Sequence, residues 1–205
     1  MQTHASKPHH IYLVVKTDRI ECFLKLIEGG FKLKVKTGLS IRELLCVQLG
    51  ISEDYFENRI QTIFLDGMPV DNADKAWVND GARIALSAAM PGLVGATFRK
   101  GGLYASFRGT ISYSSSKNPI AEGEGKITLK FFNMIARELK PLFLQKGILV
   151  EGNIFQTFVL QNMDVLKAAC ALSYLNSEEV NIVKLLEMNW ENTEIFLQIT
   201  PAEKS

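Results

Sequence analysis

The residues best suited to chemistry lie mid-chain, in a segment rich in glycine and cations. Successive amides of such a segment can form a concave anion site, and arginine and lysine side chains add positive charge. The spacing is not that of a nucleotide-cradling P-loop. The pattern therefore indicates either a site for a small anion or nucleotide, or an interdomain loop. The candidate binding residues are Gly92, Gly95, Arg99, Lys100, Gly101, Gly102 and Arg108.

Side chains that commonly act in catalysis are sparse elsewhere. All three histidines, His4, His9 and His10, precede residue 11, in a polar stretch that we expect to be a loose tail. The folded part of the protein is then expected to contain no histidine, so catalysis that uses histidine as a base or acid is not expected. We predict no catalytic residue, no metal site and no cofactor. The three cysteines have no ligand spacing and are expected to be small buried hydrophobes in a reducing compartment. They are Cys22, Cys46 and Cys170.

Composition narrows the class of protein. The chain has 205 residues, 47% of them hydrophobic, and a net charge of +1, which is typical of a globular protein and excludes disordered and fibrous classes. The charge balance gives no long-range attraction to nucleic acid or to an anionic membrane, so neither is an expected partner. No apolar stretch is long enough to span a bilayer, and the first residues carry no apolar signal. We therefore expect a cytoplasmic protein.

The first half of the chain alternates strand and helix signals. Apolar runs predict strands at 11–15 and 21–27, and strict alternation predicts a strand at 31–36 that forms a hairpin with the second run. Ser40 and Glu43 have the spacing of a capping box, which predicts a helix beginning there. Further strands are expected, with a turn at Asp66-Gly67 between the first two. They are 60–65, 68–70 and 82–87.

The second half predicts an α+β domain from its apolar spacing. The expected helices are 127–145, 163–175 and 177–189, and the expected strands are 148–151, 154–160 and 194–199. The predicted organisation is thus a flexible tail at 1–10, a first domain at 11–90, a basic glycine-rich connector at 91–109, and an α+β domain at 110–205.

The order hairpin, helix, strand, strand resembles the β-grasp, or ubiquitin-like, fold. The segments Ile63–Val70 and Trp77–Leu86 resemble the sulfur-carrier branch, which includes the thiamine sulfur carrier and the small subunit of molybdopterin synthase. The resemblance covers about residues 20–90 and implies docking to a partner enzyme. In that family a terminal glycine pair is adenylated and converted to a thiocarboxylate. Here the nearest pair, Gly101-Gly102, is internal, so that chemistry implies cleavage after Gly102.

Three functions follow. The leading interpretation is a β-grasp protein-interaction module without catalysis, with a protein partner that the sequence does not identify. The second is a sulfur-carrier-like precursor that is processed after Gly102 and activated by an adenylating enzyme. The third is a binder of a small anion or nucleotide at the connector.

Overall fold

The computed structural model describes residues 8–90, 92–104, 108, 111–113 and 122–202. These residues form the α+β structure expected from the sequence. The strands are β1 (His9–Val15), β2 (Phe31–Thr37), β3 (Thr62–Leu65), β4 (Met68–Pro69), β5 (Arg83–Ser87), β6 (Gly123–Phe132), β7 (Ile148–Glu151), β8 (Cys170–Leu175), β9 (Glu178–Glu179) and β10 (Glu194–Pro201). The α-helices are α1 (Glu53–Asn58), α2 (Gly92–Phe98), α3 (Asn133–Lys146), α4 (Gly152–Ala169) and α5 (Ile182–Glu187). A 3-10 helix at Thr17–Ile27 and a π-helix at Glu43–Gln48 complete the set.

The chain divides into two units. The terminal unit consists of Met1–Phe31 and Lys140–Ser205, and the central unit consists of Lys32–Leu139. These bounds differ from those expected from the sequence, because elements distant along the chain pair with each other. The central unit is continuous in sequence, whereas the terminal unit joins the two ends of the chain.

In the central unit the strand order is β4-β3-β5-β6-β2. β3 is antiparallel to β4 and β5, and β5 is parallel to β6. The lysines of β2 alternate with the buried residues Leu33 and Val35, which gives the strand one solvated face as predicted. The helical turn expected after Ser40 is also confirmed, and it buries Leu44 and Leu45 completely.

In the terminal unit the strand order is β7-β10-β1-β8-β9. β1 is parallel to β10 and antiparallel to β8, and β10 is antiparallel to β7. Ile11, Leu13 and Val15 of β1 are buried, while the side chains between them are only half-buried. The aromatic ring of Phe23, in the 3-10 helix, lies 6.0 Å from that of Phe158 in α4. The sheet therefore has one fully buried face and one partly open face.

The predicted hairpin of residues 21–27 and 31–36 is wrong. Residues 17–27 form a 3-10 helix that buries Phe23, Leu26 and Ile27. Their spacing of three and four positions places them on one helical face, and this spacing outweighs the partial alternation of the segment. The neighbour of β2 within the central unit is β6, which comes from much later in the chain.

The predicted loose tail is also wrong where the structure describes it. His9 and His10 lie in β1, opposite Ile195 and Phe196 of β10. The ring of His9 contacts the Trp190 ring edge-on, with centroids 5.7 Å apart. Pairing with a distant strand orders this segment, whose own sequence has little apolar surface. Residues 1–7, with His4, lie outside the described residues.

In the second half, two of the three expected strands are confirmed, whereas the third and the helices differ from the prediction. β7 and β10 confirm the strands expected at 148–151 and 194–199. The helix expected at 127–145 begins only at Asn133, because Ile127, Leu129 and Phe131 are buried on one face of β6. Residues 154–160 are helical rather than extended. Residues 163–175 divide between α4 and β8, and 177–189 contain the two-residue strand β9 and the short helix α5.

Candidate binding site

The predicted connector contains a helix rather than an open loop. α2 occupies Gly92–Phe98, and a turn with Gly101 at a φ of +59° follows it. A Cβ at Gly95 would overlap the backbone carbonyl group of Met90. Glycine at this position therefore allows the helix to lie directly against the chain segment that precedes it. Residues 91, 105–107 and 109 of the predicted connector are outside the described residues.

Hydrogen bonds of Lys100 connect the residues after α2 to α1 and to Gln61, which directly precedes β3. The amide of Lys100 donates to the Gln61 carbonyl at 2.8 Å, and the Lys100 ammonium donates to the Phe56 carbonyl at 2.9 Å and to Glu57 at 3.2 Å. The same ammonium lies 4.3 Å from the centre of the Phe56 ring, a cation–π contact. Hydrogen bonds from Arg42 and Lys100 hold the pKa of Glu57 below its ordinary value. Lys100 thus has a structural role.

Arg108 is almost completely buried, with 3% of its surface exposed. Its guanidinium makes a two-point ion pair with Asp71, at 2.6 and 3.0 Å. It also donates to Ser112 Oγ and to the carbonyl oxygens of Thr97 and Arg99. These partners account for the donors of the guanidinium, so Arg108 links three parts of the central unit and has little capacity left for a ligand.

A pocket of about 420 Å³ opens beside this anchored segment. Five predicted site residues line it, and they are Gly95, Arg99, Lys100, Gly101 and Gly102. Gly92 and Arg108 do not line it. The remaining lining comes from Leu103 and Tyr104 of the connector, from Thr62 at the start of β3, and from Ala89, Met90 and Ala96. We call this cavity the connector pocket.

Two side chains of the connector pocket have hydrogen-bonding capacity to spare. The Nε of Arg99 donates to the Gln61 side chain at 2.7 Å, and no carboxylate of the described residues pairs with this guanidinium. Thr62 is fully buried, and its hydroxyl has no hydrogen-bond partner in the part of the chain that the structure describes. A buried hydroxyl without a partner costs roughly 1–3 kcal/mol. Such groups in a cavity wall mark a place where a ligand can bind.

The anion site expected from backbone amides does not form, because the amides of Lys100 and Gly102 already donate within the protein. The amide of Lys100 donates to Gln61, and that of Gly102 donates to the Arg99 carbonyl at 3.1 Å. The side chains of Arg99 and Thr62 supply the polar character of the pocket instead. Sequence reasoning missed Thr62 and Gln61, because nothing in a β-strand signal indicates that it will lie beside a segment nearly forty positions later.

The described residues show neither a metal cluster nor a membrane-spanning helix. In the described part of the chain, no group of three histidine, cysteine or acidic side chains is placed to hold a metal ion. None of the helices that the structure describes is both long and apolar enough to cross a membrane. Comparison with protein-family models, with curated proteins and with solved structures finds no match to this chain.

Proposed function

We propose that the protein is a non-catalytic binding module that holds an oxyanion of a protein partner in the connector pocket. The observation that carries the proposal is the pairing of Arg99 and Thr62 in one cavity wall. Among the described residues, the Arg99 guanidinium has no carboxylate partner and the buried Thr62 hydroxyl has no hydrogen-bond partner. Both groups are donors. A carboxylate or phosphate is the ligand that satisfies both.

The electrostatics of the two neighbouring cations support Arg99 as the binding group. Lys100 already lies beside Glu57 at 3.2 Å, which offsets its charge. Within the described ranges, the Arg99 guanidinium is held only by the neutral side chain of Gln61, through one of its five N–H groups. The planar guanidinium therefore keeps donors for two-point binding, and the contact with Gln61 limits its rotamers before the ligand arrives.

The rim of the connector pocket supports a protein as the source of the oxyanion. Leu103 is 90% exposed and Tyr104 is 40% exposed, and both line the pocket. Large apolar side chains beside a polar cavity are typical of protein interfaces, where aromatic residues are enriched. The hairpin that begins the β-grasp order is absent from residues 21–36. The resemblance of Ile63–Val70 and Trp77–Leu86 to sulfur carriers, which dock onto partner enzymes, still supports the same role.

The test uses thermal denaturation of the full chain with two kinds of probe. The first is phosphate or pyrophosphate, and the second is an amidated peptide with one glutamate among leucines, compared with its glutamine counterpart. A ligand that binds only the folded state raises the melting temperature in proportion to its occupancy. We expect the glutamate peptide to stabilise the protein more than the glutamine peptide does.

Substitutions in the connector pocket show whether the rise in melting temperature comes from binding at this site. Arg99→Gln is expected to abolish the response, whereas Arg83→Gln, at an exposed arginine of β5, is the matched control and is expected to keep it. Thr62→Val removes a hydroxyl without a partner, so it is expected to raise basal stability by ~1 kcal/mol while weakening the response. Stabilisation by phosphate alone, with no peptide effect, would make the ligand a free anion. No response to either probe would overturn the proposal.

A further inference from the structure

A second pocket lies on the partly open face of the sheet in the terminal unit. It has a volume of about 320 Å³ and is lined by His10, Tyr12, Tyr174, Ser177 and Gln198. This size is within the range of small-molecule sites. We call it the sheet-face pocket, and neither the sequence analysis nor the proposed function uses it.

Strand register explains why these residues meet. Tyr12 of β1 lies directly opposite Tyr174 of β8 and opposite Gln198 of β10, so the three side chains form one row across three strands. Tyr12 and Tyr174 are stacked, with ring centroids 5.7 Å apart and planes inclined by 30°. Because successive residues of a strand face opposite sides, the aliphatic residues between them point into the core. The row is thus a flat aromatic surface on a rigid support.

Polar groups at the edge of this aromatic surface can form further hydrogen bonds. The His10 Nε2 atom is buried and has no hydrogen-bond partner among the described residues. The ring packs edge-on against that of Phe196, with centroids 5.0 Å apart. The backbone of His10 is tied at both N and O to Asn176, which fixes the position of the imidazole. The Gln198 amide nitrogen donates to the Gln145 carbonyl at 2.9 Å, so its oxygen is left as an acceptor.

The charges around the sheet-face pocket favour planar ligands that carry no anionic group. No lysine or arginine of the described residues lines the pocket, and Glu179 of β9 lies opposite Tyr174 in register, at the end of the aromatic row. Phosphate groups require cations, and nucleic acid binds largely through them. The surface therefore disfavours nucleotides and single strands, although its aromatic pair suits a base.

We propose that the sheet-face pocket binds a small planar nitrogen heterocycle without an anionic group, of the size of a nucleobase or nucleoside. The heterocycle stacks on the Tyr12–Tyr174 pair, and its ring nitrogens and exocyclic groups hydrogen-bond to His10 and Gln198. A ring nitrogen paired with Nε2 satisfies the buried imidazole, in whichever tautomer complements it. Stacking supplies affinity, and the two polar groups supply orientation.

The experiment measures binding of adenosine and of benzimidazole to the full chain by saturation-transfer NMR and by calorimetry. Saturable binding of at least one is expected, with adenosine 5′-monophosphate binding more weakly than adenosine. Tyr174→Leu is expected to weaken binding about tenfold, and His10→Leu by a similar factor. Tyr113→Leu, at a half-buried tyrosine that lines neither pocket, is the matched control and is expected to have no effect.

Three results would overturn the proposal. They are absence of saturable binding for both probes, unchanged affinity in Tyr174→Leu, and binding of an adenine oligonucleotide that is far tighter than that of adenosine and falls steeply with salt. The last result would assign the face to nucleic acid. Because Tyr174 is half-buried in a short strand pair, each variant is first compared with the parent chain by circular dichroism. If Tyr174→Leu unfolds, His10→Leu still tests the site, because it is expected to weaken binding without changing the aromatic pair. Tyr12→Phe keeps the stack and is expected to retain binding.

Discussion

The guanidinium of Arg108 forms a two-point ion pair with the carboxylate of Asp71, although 37 positions separate the two residues. The pair connects the segment after α2 to the loop that follows β4. Planar two-point geometry is specific to arginine, because the ammonium of lysine is a point charge. The contact therefore holds in place the region that contains the connector pocket.

Arg108→Lys is expected to destabilise the protein by about 2–3 kcal/mol, because a buried donor set loses its geometry and leaves carbonyl acceptors without partners. Urea denaturation of the full chain measures this. Arg83→Lys, at an exposed position of β5, is the control and is expected to change stability by less than about 0.5 kcal/mol. Equal stability of both variants would show that the ion pair contributes nothing.

The capping box of Ser40 and Glu43 predicts a pH-dependent contribution to stability. The Glu43 carboxylate accepts from the Ser40 amide at 2.9 Å and from its hydroxyl at 2.8 Å, and these bonds hold the pKa of Glu43 below its ordinary value of 4.5. A lowered pKa in the folded state means that the stabilisation is complete above that ordinary value and is lost as pH falls through the folded pKa.

Glu43→Gln is expected to reduce stability by roughly 0.5–1 kcal/mol at pH 7. The difference from the parent chain is expected to shrink as pH falls from about 5 to 3. Denaturant titrations at several pH values measure it. A difference that does not vary with pH would contradict the role of the charged carboxylate.

Gly95→Ala is expected to destabilise the protein, against the general gain of about 1 kcal/mol for alanine over glycine in a helix. The reason is that the new Cβ would approach the Met90 Cβ to 2.7 Å and overlap the Met90 carbonyl. Gly29→Ala, where nothing lies within 4 Å of the added carbon, is the matched control and is expected to be nearly neutral. Thermal melts compare the two. A stabilised Gly95→Ala protein would show that α2 does not lie against Met90.

The cysteines are expected to react slowly with alkylating agents in the folded protein. The structure has all three free and half-buried, rather than fully buried as the sequence indicated. Burial raises the pKa of Cys170 to about 11, and burial with the nearby Glu53 carboxylate raises that of Cys46 to about 11. Since the thiolate is the nucleophile, alkylation of Cys46 and Cys170 near pH 8 is expected to be roughly a hundredfold slower than in the unfolded chain. Burial also raises the pKa of Cys22, so Cys22 is expected to be slowed as well. Equal rates by mass spectrometry would contradict this.

Processing at the glycine pair remains a prediction of the sulfur-carrier resemblance. Gly101 and Gly102 occupy a turn in which the Gly102 amide donates to Arg99, and the pair lines the connector pocket. Intact mass of untagged protein from its native cells tests it. A species ending at Gly102 would support the carrier interpretation, whereas full-length mass alone would remove it.

Sequence patterns predicted an element correctly where contacts between residues a few positions apart determine it. The alternation in β2, the capping box at Ser40 and the Asp66-Gly67 turn depend on residues within a few positions of one another, and the structure has each of them. The segments 21–27 and 127–132 form elements other than those that their sequences predict. Short apolar runs suit both a helix and a strand, and only burial against distant partners distinguishes the two.

The candidate site was predictable in part, because some of its residues are close together in the sequence. Arg99, Lys100 and the glycines are unusual as a cluster in the sequence, and five of the seven predicted residues line one pocket. Thr62 and the structural role of Arg108 were not predictable, because each depends on a contact across about forty positions. The sheet-face pocket depends on β1, β8 and β10, which come from opposite ends of the chain.

By itself the sequence determined the α+β class, the alternating face of β2, the helix start at Ser40 and the cationic, glycine-rich character of the connector, since composition and short-range spacing decide these. The tertiary structure decided which strands are neighbours, which cations are already paired and which polar atoms are buried without partners. These properties depend on free energies of burial and pairing between segments that are far apart in the chain. A linear pattern does not contain them, because the hydrophobic effect that joins the segments is non-directional.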